Sequence, residues 1–376
     1  MRPIVPIAKF WLRVARMDRF PRSLVEFQDT YRDEDACIRY LVERRWPHGF
    51  VCPACGSVKA WQLNGRPVWE CRECGRQTSL TAGTLMAKTK LALRVWFWAA
   101  YLMTTHSNGL SALQLANQLG LNYRTAWLLE AKLRRAMVNP ERALLSGLVE
   151  IDQAEIPFRQ KNSPIDVGGH EGMITVVGAV EVVDRKTGTT PRWRPGHKLL
   201  NTRPQRVRLQ VISNNTAATL EAFIRATVAT GTVVLTDRHG GYNGLKAMGY
   251  RHYPYLVGPM AAHVVLPWIH RVFALLKRWG LGVYHGVRRK HVQEYLDEYT
   301  FRFNRRKWRR VSFEKILGLT AIYGPIHYHE ITGTKPRNTK AEQVRKNAML
   351  ASTGKALPPR KQPNRRASGK LDMVAT

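Results

Sequence analysis

The clearest chemistry in this 376-residue chain is carried by four cysteines. Cys52, Cys55, Cys71 and Cys74 follow the spacing C-x2-C-x15-C-x2-C. Each pair makes a knuckle of two thiolates, with Gly56 or Gly75 directly after the second cysteine. Two knuckles supply the four soft sulfurs of a closed tetrahedral Zn²⁺ site, so a structural ion is expected. The segment between them, WQLNGRPVWE, is aromatic and β-prone and suits the small sheet of a zinc ribbon. Cys37 falls outside the pattern, on an expected helix.

Two aspartates carry a different chemistry. Asp152 lies in VEIDQAEI, and Asp237 closes the strand that opens VVLTDRHGGY. Both segments read as strands, the first and fourth of a βββαβα run. In that order the first and fourth strands are neighbours, which brings the two carboxylates together. Carboxylates so close repel unless a cation lies between them, and a hard ion such as Mg²⁺ or Mn²⁺ favours oxygen ligands. Gly240 and Gly241 let backbone approach such a site.

A third segment, LPWIHRVFALLKRW (266–279), reads as an apolar helix carrying His270 and, one heptad on, Lys277. Seven residues is close to two turns, so both project from one face. Ile269, Val272, Leu275, Leu276 and Trp279 are expected on the opposite, core-facing side. A fourth segment, GLSALQLANQLGLNYRTAWLLEAKLRRAM, pairs a helix ending at Gly120 with one starting near Tyr123. Gly in the turn and apolar inner faces suit a helix-turn-helix, with Arg124 and Thr125 leading the second helix toward base edges in the major groove.

These residues need elements to hold them. RDEDACIRYLVERRW is an expected helix with acids in its first turn. NPERALLSG is a linker. GLVEIDQAEI, MITVVGAVEVV and RVRLQVI are three strands, the last two joined by a long basic hairpin loop. NNTAATLEAFIRATVAT is a helix with capping candidates at its start, GTVVLTD a fourth strand, and YNGLKAMGY a short helix. HVQEYLDEYTFRFNRR is a last amphipathic helix, whose Glu294, Asp297 and Glu298 are candidates for an alternative third carboxylate beside Asp152 and Asp237, ranked below His270. The expected fold class is therefore α/β, a mixed sheet in βββαβα order. From Lys335 onward, eleven Lys/Arg against two acids predict a basic disordered tail.

The charge balance names the partner. Sixty Lys+Arg against 27 Asp+Glu leave a net charge of +33, which points to a polyanion, and nucleic acid leads. A hydrophobic fraction of 44% excludes a disordered chain. The longest apolar stretch, VWFWAAYLM, falls far short of the roughly 18–20 residues of a membrane span, so no membrane partner is expected. The first 16 residues are basic and lack a secretory core and cleavage site, consistent with an upstream start codon or a basic arm. Five reduced cysteines and a cytoplasmic, nucleoid-associated protein are expected.

Taken as a set, FPRSLVEF, RWPHGFVCPACGS, CRECGRQTSLTAGT, GLSALQLANQLGL, VEIDQAEI, VVGAVE, LTDRHGGY and YHGVRRKHVQEYLDEYTFRFNRR resemble the IS1595-family (ISXO2-like) insertion-sequence transposases. The resemblance runs from about Met17 to Arg306. It implies an RNase H-like catalytic domain and divides the chain into a basic arm and helix (1–48), a zinc ribbon (49–87), a helix-turn-helix-like region (88–140), the catalytic domain (146–332) and the tail (333–376). It implies double-stranded DNA as partner, both transposon ends and target, and a homodimer or larger assembly at synapsis. The reaction implied is metal-dependent cleavage at the ends followed by strand transfer. Such enzymes hold their ions with two Asp and a Glu. Here the third ligand falls on His270, with Lys277 as the lysine one heptad on and a DNA contact. A histidine there is a softer, uncharged donor, which favours Mn²⁺. The departure from Glu also keeps alive a DNA-binding regulator with an inert RNase H-like domain, or a nuclease without strand joining.

Overall fold

The computed structural model describes residues 21, 23–139, 141–157, 173–195, 199–255, 265–284, 287–307 and 309–333. The expected basic arm (1–16) and the tail beyond 333 lie outside the described residues. The chain forms one compact unit to residue 327, and a second begins at Tyr328 with the short helix Tyr328–Thr332. No described helix is long and apolar enough to cross a membrane.

Helices α1 (Leu24–Thr30), α2 (Glu34–Arg45), α3 (Leu93–Thr105), α4 (Ala112–Leu119) and α5 (Tyr123–Ala136) share one apolar core. Helix α2 starts on Asp33, whose carboxylate accepts the Ala36 N–H, and it carries Glu34 and Asp35 in its first turn, as its acids predicted. Helix α3 has no capping side chain of its own. Glu34 caps it from α2, accepting the N–H groups of Leu93 (2.7 Å) and Arg94 (3.1 Å). Between α2 and α3 lie three short antiparallel strands, β1 (Ala60–Gln62), β2 (Val68–Cys71) and β3 (Gln77–Ser79).

The second sheet has the order β6-β5-β4-β7-β8. Its strands are β4 (Leu148–Pro157), β5 (Met173–Asp184), β6 (Thr202–Val211), β7 (Val233–Asp237) and β8 (Arg251–Tyr255). β4, β5 and β6 pair antiparallel, whereas β7 and β8 run parallel to β4. The expected βββαβα order thus gains a fifth strand. β8 reads poorly because RHYPY holds a proline and few apolar residues, which an edge strand tolerates. The expected short helix before it is a 3₁₀ segment, Gly240–Leu245.

Strand alternation sorts the sheet into two faces. Val149, Ile151, Val177, Ala179 and Val234 pack under α6 (Ala217–Thr227) and the 3₁₀ segment. Leu148, Val176, Val180 and Leu235 pack under α7 (Pro267–Tyr284) and α8 (Val292–Asn304). The basic hairpin between β5 and β6 lays Trp193 against Tyr253 of β8, ring centroids 5.0 Å apart. Helix α9 (Arg309–Ile322) leaves the sheet and returns Phe313 to the first core, against Phe27, Phe97 and Tyr101.

A buried ion network ties the two halves. Arg134 of α5 bonds Glu130 at 2.8 Å and Glu298 of α8 at 2.7 Å, all three side chains no more than 1% exposed. Tyr284 donates its hydroxyl to Glu298 as well. Such a network is costly to bury and costlier to break, because each loss leaves an uncompensated charge.

One glycine decides how close α7 comes to the sheet. Gly178 of β5 pairs with Asp152, and a Cβ there would lie 2.8 Å from Ile269 Cδ1 and 3.1 Å from Phe273 Cζ. Gly178→Ala is expected to cost about 1–3 kcal/mol by overpacking. Adding Ile269→Val, which deletes the crowded methyl, should recover part of that loss in urea unfolding. An unchanged midpoint in the single variant contradicts the close approach.

Candidate functional site

The cysteines converge. Sγ of Cys52 lies 3.6 Å from that of Cys74, and Cys55 lies 3.5 Å from Cys71. All four ligand atoms sit within 4.8 Å of one another. Sulfurs at the corners of a tetrahedral zinc site are about 3.8 Å apart, so the donor set fits the ion. Gly56 and Gly75 close the knuckles with positive φ (75° and 67°), and their N–H groups bond back to Cys52 and Cys71. Trp46, Phe50 and Trp69 pack against the buried pair Cys52 and Cys71. Cys37, outside the set, is a buried helix residue. Three short strands cannot bury a core of their own, so the metal carries the ribbon. A strong chelator is expected to open residues 49–80 to limited proteolysis while β4 to β8 stay resistant; a ribbon equally resistant with and without chelator overturns this.

The parallel pairing of β4 with β7 joins Leu148 to Val233, Val149 to Val234 and Glu150 to Leu235. Carried two residues on, the same register sets Asp152 level with Asp237. Both then stand on the α7 side of the sheet, Asp237 at the end of β7 and Asp152 midway along β4. Asp152 Oδ1 accepts the Gln153 N–H, and Asp237 Oδ1 accepts the His239 N–H. Burial pushes the Asp152 carboxyl up to about 7, against the pull of the Gln153 N–H, and the charge on Asp237 adds to the rise. On the far face, the buried Tyr242 donates to Gln153 Oε1 at 2.5 Å.

His270 Nε2 lies 3.3 Å from Asp152 Oδ2. The imidazole is 31% exposed and so lies on the shoulder of α7. This corrects the expected opposite face. At about 100° per residue, His270 and Lys277 stand a quarter-turn from the buried line Ile269, Val272, Phe273 and Leu276. From that flank the His270 imidazole reaches Asp152. Leu275, expected in the core, is 40% exposed on the other flank, and Phe273 takes its place. Lys277 is exposed. Among the described residues, the cysteines are the group of three or more possible ligands within 4.8 Å of one another; Asp152, Asp237 and His270 are not drawn so close.

The carboxylates of α8 are engaged elsewhere. Glu298 serves Arg134, Asp297 accepts from Gln293 at 3.1 Å, and Glu294 faces His291 at 3.6 Å. Glu150 is the residue that sequence reasoning missed. It is fully buried and accepts the N–H groups of Trp268 and Ile269, each at 2.8 Å. Its signal was a charge at an inward position of an apolar strand, two residues before Asp152. Burial pushes its carboxyl up to about 8 against those two N–H groups.

Farther off, Gly120 ends α4 with φ 62° and ψ 33°, and Asn122 caps α5 through the Arg124 N–H. Arg124 is exposed and Thr125 half-buried at that helix start, while Trp127, one turn on, packs against His291 at 5.1 Å.

The sequence profile of the transposase zinc-ribbon domain of IS1595 matches residues 32–77, and that of the ISXO2-like transposase domain matches residues 144–304. The chain belongs to the IS1595 transposase family. The second match holds Asp152, Asp237 and His270, and the first holds all four zinc-ribbon cysteines. An uncharacterised protein in transposable element ISH50 of Halobacterium salinarum is 29% identical over 142 residues, covering 36% of this chain and 47% of that protein. This chain therefore spans about half the length of that relative. The crystal structure of the Mos1 strand transfer complex aligns over 61% of this chain and 78% of its own, with 14% identity and a TM-score of 0.24, a likeness too loose for comparing sites.

The Asp152 carboxyl has a pH signature. Without a divalent ion, the folded chain holds that proton to about pH 7, and the unfolded chain releases it near 4. Between those values the folded state binds more protons, so stability falls as pH rises through the window. Asp152→Asn cannot charge and should flatten that fall. Its thermal midpoint at pH 8, without added Mg²⁺ or Mn²⁺, is expected a few degrees above wild type by calorimetry. A midpoint equal to or below wild type counts against the buried, crowded carboxylate.

Proposed function

We propose that the chain is a DNA transposase with an RNase H-like catalytic domain, in which Asp152, Asp237 and His270 hold a divalent ion, Mg²⁺ or Mn²⁺. The observation that carries this reading is the register of β4 on β7, which brings a carboxylate midway along β4 level with one at the end of β7, beside the His270 imidazole. The sheet order supports it, with three antiparallel strands followed by two parallel ones and helices on both faces. Oxygen ligands favour a hard ion, and two crowded carboxylates, one with its proton held by burial, suit a cation between them. When bound, such an ion activates water and offsets charge growing on a phosphate in cleavage and in-line transfer.

The chain's own groups do the rest. Asp152 and Asp237 fix the position of the reacting phosphate relative to the sheet. His270 adds a neutral nitrogen from α7, the softer choice that tilts the site toward Mn²⁺. Lys277, exposed about 10 Å farther along the same helix flank, meets a phosphate of DNA lying across α7. Arg124 and Thr125 at the start of α5 address base edges, as the second helix of a helix-turn-helix. The net charge of +33, including the basic hairpin and tail, grips DNA without regard to sequence. Joining two transposon ends to target DNA calls for a homodimer or larger assembly, acting on DNA in the bacterial nucleoid.

Histidine in place of the usual Glu favours a second reading, a DNA-binding regulator with an inert RNase H-like domain. The deciding experiment uses DNA carrying the element's ends, assayed for nicking and strand joining in Mg²⁺ and Mn²⁺. Asp152→Asn and Asp237→Asn are each expected to lower both steps at least about a hundredfold with DNA binding retained. His270→Glu should raise the rate in Mg²⁺ relative to Mn²⁺. Specific binding with no nick in either ion supports the regulator, and cleavage without joining supports a nuclease.

A further inference from the structure

We propose that Glu150 is a positioning residue for this site: it fastens the first turn of α7 to strand β4 and so sets His270 against Asp152. The value of that alignment rests on the transposase reading, whereas the fastening stands on geometry alone.

Helix α7 arrives without a cap of its own. Leu266 precedes Pro267 at its start, so no local side chain offers an acceptor, and Pro267 has no N–H. The first donors of the helix are the N–H groups of Trp268 and Ile269. Both go to one oxygen, Glu150 Oε2, at 2.8 Å, from a residue 118 and 119 positions earlier in the chain. The other oxygen, Oε1, is buried and has no hydrogen-bond partner, so the hydrogen bonds Glu150 makes through its side chain go to α7.

The anchor sits on the strand where it matters. Glu150 and Asp152 are two residues apart on β4 and so point to the same face. Trp268 and His270 are likewise two residues apart on α7. One strand therefore holds the helix with one carboxylate and faces its imidazole with the next. Trp268 adds a second tie through its indole N–H to Thr202 at 2.9 Å, and Gly178, opposite Asp152, leaves room for the helix to lie close. A Ser or Asp at position 266 would satisfy the same N–H groups. It would cap the helix without tying it to β4.

The test uses the full-length, zinc-loaded protein and hydrogen exchange of the peptide covering residues 266–273. Glu150→Ala is expected to speed exchange of the first turn of α7 about tenfold, the effect of one lost cap, with exchange in the zinc ribbon unchanged. Glu150→Gln keeps an oxygen at the Oε2 position and should keep wild-type protection. Glu150→Asp falls one methylene short and should behave like Ala, which preserves the test if the Ala variant does not fold. On end DNA, the Ala or Asp variant should lose cleavage rate at least about tenfold at unchanged DNA affinity, and Gln should restore most of it. Unchanged exchange in both Ala and Asp variants overturns the fastening. A Gln variant with wild-type protection but no cleavage overturns positioning in favour of a need for the charge itself. A wild type that never cleaves sinks the transposase reading alone, and the exchange result still decides the fastening.

Discussion

Everything at the candidate site depends on one pairing, the parallel register of β4 on β7. A shift of one residue would turn one aspartate to the opposite face and leave the other alone under α7. The register is held by burial on both faces, with Leu148 and Leu235 under α7 and α8, and Val149 and Val234 under α6. The apolar side chains that make the strands unremarkable are therefore what place the polar ones. β5 completes the arrangement from the other side, pairing Gly178 with Asp152 and giving α7 its seat.

The fold twice solves the same problem in the same way. Helices α3 and α7 both begin without a capping side chain, and both receive a glutamate from a distant element, Glu34 and Glu150. A local cap only ends a helix. A remote one also fixes where the helix lies, because its acceptor belongs to something else. Glu130, Arg134 and Glu298 apply buried charge to a similar end between α5 and α8. Each of these groups costs desolvation that a leucine would not. What each returns is one defined arrangement of neighbouring elements.

Where residues act through local pattern, the sequence was readable. The cysteine spacing foretold the cluster, the acids of RDEDACIRYL foretold the start of α2, and strand order foretold that β4 and β7 are neighbours. What stayed hidden depends on partners far along the chain. Glu150 passes unnoticed in its strand, and its role shows only where Trp268 and Ile269 lie over it. Glu298 looked like a spare ligand until Arg134 arrived. β8 is an edge strand whose pairing, not its composition, makes it a strand. His270 and Lys277 were correctly placed on one face, yet a seven-residue spacing cannot say whether that face is the back of the helix or its shoulder. That depends on where the sheet lies.

Phe313 gives the chain an unusual order of completion. The aromatic core of the first helices, around Phe27, Phe97 and Tyr101, is filled by a side chain made more than two hundred residues later. During synthesis the amino-terminal helices therefore wait, with an open aromatic face, until the whole sheet has left the ribosome. A product cut short after α8 would carry both aspartates and His270, yet it would lack the wedge that closes its first core. Translation to near residue 320 is thus a condition for a finished fold, and truncated copies of the gene should give chains that quality control removes.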